Sequence, residues 1–185
     1  MLIKLSNTLQ RWAKGWLVFI LFLLDTVFAL FILPIAAALM MGDAGGPGPL
    51  DLQFFYTPAK AYEIITAYGE YTRLFYRNIE LTIDIIYPII YTLFFSLFIT
   101  WLFKKGFDQN SSMQRLNVVP FGAWLFDLLE NIGIVTMLSI YPSTPAALAW
   151  ITTIFTTVKW LFAGASIVLV MIGIPAAIRN AFRRK

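Results

Sequence analysis

Four apolar runs, at about residues 16–41, 79–103, 118–140 and 146–174, dominate the chain. Each reaches the roughly 20 residues needed to cross about 30 Å of hydrocarbon at 1.5 Å per residue. Runs of this length predict an all-α polytopic bundle of four transmembrane helices in a single membrane domain. Composition agrees. Of 185 residues, 59% are hydrophobic and 13% charged, about half the charged share of a soluble domain. Aromatics and breakers mark the ends of the runs: Trp12 and Trp16 before the first, Trp101 near the end of the second, Tyr141-Pro142 after the third and Pro145 before the fourth.

Basic residues set the expected orientation. The arm 1–15 carries Lys4, Arg11 and Lys14. The loop 104–117 carries Lys104, Lys105 and Arg115, and the tail 175–185 carries Arg179, Arg183, Arg184 and Lys185. The opposite side has Lys60, Arg73 and Arg77, offset by Asp43, Asp51, Glu63 and Glu70. The positive-inside rule therefore places both termini in the cytoplasm of a cell (inner or plasma) membrane. The net charge of +4 belongs to these segment ends and to anionic lipid; nucleic acid is not an expected partner. The first run is longer than the 7–15 apolar residues of a signal peptide and contains Asp25, so it is expected to be retained.

Between the spans, the arm reads as an interfacial helix with Leu2, Leu5, Leu9, Trp12 and Trp16 along one side, or as a plain topogenic segment. Residues 42–57 read as a linker. Thr57-Pro58 has the form of an N-cap followed by proline at the first helical position. It opens an expected outer helix over 58–78, lying on the membrane or running into the second span.

The absence of Cys and His removes disulfides, thiol nucleophiles, zinc sites built on those ligands and His-based catalytic pairs. What remains is carboxylate, lysine, tyrosine, hydroxyl and amide chemistry, and it lies within the spans. The first has Asp25. The second has Glu80, Asp84, Tyr87 and Tyr91. The third has Asp127, Glu130 and Asn131. The fourth has Thr152, Thr156, Lys159 and Ser166. From the helical rise, Asp25, Asp127, Glu130 and Lys159 fall about 14–20 Å from a span end, near the bilayer middle. Asp84 sits higher, about 8 Å below the outer end, and Glu80 near the outer surface. Positions 127, 130, 131 and 134 share one helix face. So do 80, 84, 87 and 91, and 152, 156, 159, 163 and 166.

Energetics favour convergence of these faces. A central charged residue costs about 2.5–3.5 kcal/mol, while each Leu, Ile, Phe or Val returns about 0.3–0.6. Asp127 and Glu130 together offset most of what the apolar residues of the third span contribute, so that helix needs polar partners on its neighbours. Asp25, Asp84, Asp127 and Glu130 face one lysine, Lys159. Either some acids are protonated or a cation lies among them. Lys159 is expected to neutralise one acid, Asp127 or Glu130, while those two bind a cation or share a proton. Asp84 and Tyr87, with Tyr91, would line an outward entrance.

Three function classes follow. The first is binding, with or without transport, of a cation, a proton or a cationic or amphiphilic small ligand; transport would call for a dimer. In the second, the chain is an accessory or assembly subunit of a larger membrane complex, and the buried charges only hold helices together. The third is an intramembrane carboxylate enzyme, although GxGD, DxxDG and zinc motifs are absent. A channel is weaker still, for want of a filter motif. The residues name neither a cofactor nor a metal, and both are left open. The patterns D-x-x-Y-P-x-x-Y (Asp84 to Tyr91) and F-D-x-x-E-N (Phe126 to Asn131), followed by the midspan Lys159, resemble those of a group of small bacterial four-span membrane proteins. The resemblance covers about residues 60–180 and implies a common fold and a shared polar site, without an activity.

Overall fold

A computed structural model describes residues 2–42 and 45–183. Asp43, Arg184 and Lys185, counted above for orientation, lie outside the described residues. The fold is all-helical, with no strand among the described residues. Four stretches are long and apolar enough to cross a membrane: Gly15–Met41, Glu70–Gly106, Ser112–Ile140 and Ala146–Arg183. A multi-pass membrane protein is the class this fits.

The arm forms α1 (Leu2–Trp12), which packs on the bundle through the side that carries Ser6 and Leu9. Ser6, Leu9 and Ala13 are buried, while Leu2, Trp12 and Trp16 are exposed. The reason is polar docking onto a 3-10 turn over Ser112–Val118. Ser6 Oγ donates to the carbonyl of Gln114, and Asn117 Nδ2 donates to the carbonyl of Ser6, both at 3.4 Å.

The first span is α2 (Gly15–Val27), a π-helical turn (Phe28–Ile32) and α3 (Leu33–Met41). Pro34 follows the turn; it has no N–H to donate and its ring crowds the preceding turn. A widened turn is one way a helix passes such a residue. α2 packs on the second span, with Phe22 and Phe94 ring centroids 5.8 Å apart.

The expected outer helix is two helices, α4 (Pro58–Ala67) and α5 (Glu70–Glu80). Thr57 caps α4 as anticipated, its hydroxyl accepting from Lys60 N at 3.2 Å. Tyr68 and Gly69 are extended and separate the pair. A second break, at Leu81–Thr82, comes before α6 (Ile83–Gly106). Glu80 therefore ends α5, and the face expected to run 80, 84, 87, 91 begins only at Asp84.

The third span is α7 (Pro120–Ile140) and the fourth is α8 (Ala146–Arg183). α8 runs nine residues past the expected end and passes through Pro175. Three glycines let backbones approach closely. A Cβ on Gly122 would clash with the ring of Phe162, one on Gly133 with the side chain of Thr152, and one on Gly106 would lie 2.8 Å from Ala177 N. α7 and α8 are thus pressed together along the faces that carry the polar residues.

Candidate functional site

Lys159 is the hub. Its ammonium lies 3.2 Å from Asp127 Oδ1 and pairs also with Glu130 Oε2. All three residues are buried, Glu130 completely. Lys159, expected to neutralise one of the two acids, touches both, because the spacing of 127 and 130, one turn apart on α7, lets one ammonium bridge them. The remaining oxygen of Glu130, Oε1, accepts from Thr156 Oγ1 at 2.7 Å. Tyr56 OH stands 3.3 Å from the same hydroxyl. Burial raises the Tyr56 pKa above its usual 10.0, so the group is a neutral phenol able to donate toward Thr156.

Tyr56 belongs to the segment expected to be a linker, and that segment is built into the bundle. Its backbone follows α8. Tyr56 N donates to Thr153 Oγ1 at 3.0 Å, and Thr157 Oγ1 donates to the carbonyl of Phe54 at 3.1 Å. The Asp51 carbonyl accepts from Lys159 Nζ at 3.4 Å and from Trp160 Nε1 at 3.2 Å. The chain therefore descends along α8 from the level of Thr153 to that of Trp160. Irregular backbone at such a position needs partners from protein, and the α8 side chains supply them.

The descent brings in Asp51, which the sequence reading left outside the site. Its carboxylate accepts from Tyr76 OH at 2.6 Å. Carboxylate oxygens of Asp51, Glu80 and Asp84 all lie within 4.8 Å of one another. Glu80 is 1% exposed, and neither of its oxygens has a hydrogen-bond partner. Asn131 contributes differently: its Nδ2 donates to the Asp84 carbonyl at 2.8 Å, tying α7 to the first turn of α6.

A cavity of about 320 Å³ runs between the first and fourth spans beneath the 49–52 segment. Asp51, Asp84, Asp127 and Lys159 give it charge, and Tyr76, Tyr87 and Tyr91 line it with phenol rings. Leu33, Ala36 and Met40 form the wall from the first span, and Ala163 and Ile167 that from the fourth. Trp160 and Ile167 line the cavity and are themselves exposed. Tyr87 stacks on Phe28 of the π turn, centroids 5.6 Å apart, and meets Tyr91 edge-on at 5.4 Å.

Of the eight residues singled out from the sequence, Asp127, Glu130 and Lys159 form one ion-paired group. Asp84 and Asn131 are joined through backbone, and Tyr87 and Tyr91 line the cavity. Asp25 is apart from the Lys159 group. Its side-chain neighbour is Tyr87, its Oδ1 is buried without a partner, and it does not line the cavity. Asp84 and Asn131 stand at one level. The 20 residues from Asp84 to Lys104 on the same helix measure about 30 Å, one full hydrocarbon thickness.

No protein-family model, characterised protein or solved structure matches the chain. The chemistry of these side chains is therefore the basis for assigning a role.

Proposed function

We propose that the chain is a cell-membrane protein, with both termini cytoplasmic, that binds a cationic amphiphile near the outer boundary of the bilayer. One observation carries this reading: the cavity combines apolar walls with an excess of acid whose only lysine is already engaged. Its volume of about 320 Å³ lies at the small end of ligand-sized pockets. Three carboxylates line it (Asp51, Asp84 and Asp127) and two more adjoin those groups (Glu80 and Glu130), against one ammonium, Lys159. Tyrosine faces suit a cationic head. The apolar walls, with Trp160 and Ile167 exposed, suit a molecule partitioned in lipid. If Lys104 marks the inner edge of the hydrocarbon, Asp84 marks the outer edge, so a ligand head would rest at headgroup level rather than at the midplane.

A direct test titrates purified protein with the lipophilic cation tetraphenylphosphonium and with tetraphenylborate, its anionic counterpart of similar size, following quenching of tryptophan emission. Saturable quenching by the cation alone, weakened at least tenfold by Asp84→Asn, supports the reading. Equal response to both ions rejects it.

The reading as a subunit of a larger membrane complex, homodimer included, has one observation in its favour. Only 11% of the most apolar window of the first span and 17% of that of the fourth are buried. Those faces are open to lipid or to a partner. The carboxylate-enzyme reading loses support, because Lys159 holds the two α7 acids that would have formed its acid–base pair.

A further inference from the structure

We infer that Asp51, Glu80 and Asp84 form a binding site for a hard divalent cation of the Ca2+ or Mn2+ class, separate from the Lys159 group. Three chain segments meet there: the descending loop supplies Asp51, the end of α5 supplies Glu80 and the first turn of α6 supplies Asp84. Their carboxylate oxygens lie within 4.8 Å of one another. Oxygens on opposite sides of a Ca2+ ion are about 4.6–5.2 Å apart, twice a bond of 2.3–2.6 Å.

Glu80 makes the case beyond mere clustering. It is 1% exposed, and both of its oxygens are buried without a hydrogen-bond donor. A buried carboxylate is ordinarily paired or ligated to metal. No Lys or Arg among the described residues forms an ion pair with Asp51, Glu80 or Asp84. Lys159 reaches only the backbone carbonyl of Asp51. Glu80 is also the last residue of α5, where the negative end of the helix dipole disfavours an unpaired anion. A proton on one Glu80 oxygen would leave the other without a donor. A divalent ion satisfies them together.

The surroundings fit a ligand set. Tyr76 OH donates to Asp51 Oδ1 at 2.6 Å, fixing that carboxylate as outer-shell donors fix metal ligands. With no His or Cys in the chain, all-oxygen coordination selects hard cations. An ion there would clasp the descending loop to the α5–α6 junction at the outer end of the cavity. Asp51 and Asp84 also line the cavity whereas Glu80 does not, so the two sites share two carboxylates and Glu80 is the residue that tells them apart.

The test uses the full chain in detergent, stripped with EDTA, and Mn2+ alone as the probe, read by electron paramagnetic resonance with Ca2+ as competitor. One Mn2+ per chain is expected, displaced by Ca2+, with a dissociation constant of about 0.1–1 mM, as in weak extracellular sites. Glu80→Gln should weaken binding at least tenfold. Without metal it should melt no lower than wild type, since it removes an unpaired charge. Absence of saturable binding by wild type up to about 10 mM, ten times the weak end of that range, overturns the proposal whatever the variants do. So does Glu80→Gln binding Mn2+ as wild type does. Neither result touches the tetraphenylphosphonium titration, which needs no metal.

Discussion

Tyr76 holds Asp51 by a three-way arrangement at one oxygen. The phenol donates to Asp51 Oδ1 at 2.6 Å and accepts the backbone N–H groups of Leu50 at 3.0 Å and Asp51 at 3.3 Å. The ring is fully buried, so the descending loop is positioned by one side chain that water does not replace. Tyr76→Phe orphans two amide donors and a carboxylate. The expected loss is about 1–3 kcal/mol of stability, read by chemical denaturation in detergent, together with weaker Mn2+ binding. Unchanged stability would show that the loop does not need this anchor.

Lys159 presents a different balance. Removing one member of a buried ion pair costs about 3–5 kcal/mol, because the partner charge is left uncompensated. Lys159→Met strands both Asp127 and Glu130 and should fall in that range. Lys159→Met with Glu130→Gln and Asp127→Asn removes every charge at once and should recover much of the loss. Thermal melting of the single and triple variants checks the order. A triple variant no more stable than the single one would mean that the pairing is not what holds α7 to α8.

Much of this group was legible in the sequence, for a definite reason. Acids one turn apart and a lysine on another span cannot face lipid, so their meeting is forced by the cost of the alternative. Asp51 had no such signature. It sits between two leucines after a glycine- and proline-rich stretch, a composition that reads as linker whether the segment stays outside or turns inward. Only the tertiary partners on α8 distinguish the two. Glu80 was placed on a continuous helix with Asp84 because period alone does not reveal a two-residue break such as Leu81–Thr82. Asp25 shows the converse: being costly in lipid does not specify which neighbour satisfies it.

Close packing of α7 on α8 predicts a sharp contrast between glycines. Gly133→Ala places a methyl group against Thr152 and should cost about 1–3 kcal/mol by overpacking. Gly164→Ala, inside α8, meets nothing within 4 Å and should be neutral or stabilise by about 0.5–1 kcal/mol. Melting temperatures of the two variants provide the comparison.

The Thr57 cap is testable alone. Thr57→Ala removes the acceptor of Lys60 N and should cost about 1 kcal/mol. Thr57→Ser should retain most of the stability. Equal melting of all three proteins would show that α4 is held by packing alone.

Alkaline pH probes the outer tyrosines. Burial raises the Tyr56 and Tyr68 hydroxyls above their usual 10.0. In the unfolded chain they ionise near 10, while in the folded chain they stay neutral to higher pH. Their contribution is thus fully present below pH 10 and is lost as the pH climbs beyond it. A melting profile from pH 8 to 11 should fall at its upper end, and should fall less in Tyr56→Phe. Spectrophotometric titration of tyrosinate is the independent check.

The uninterrupted length of α8 has a consequence for how the molecule meets its surroundings. Thirty-eight residues make a rod of about 57 Å, nearly twice the hydrocarbon thickness. Even leaning 40°, the steep limit for such rods, it reaches about 44 Å along the normal, so about 14 Å must emerge from the oily slab. A stalk built into the fold therefore carries Arg179 and Arg183 at one extremity or Ala146 at the other beyond the apolar layer.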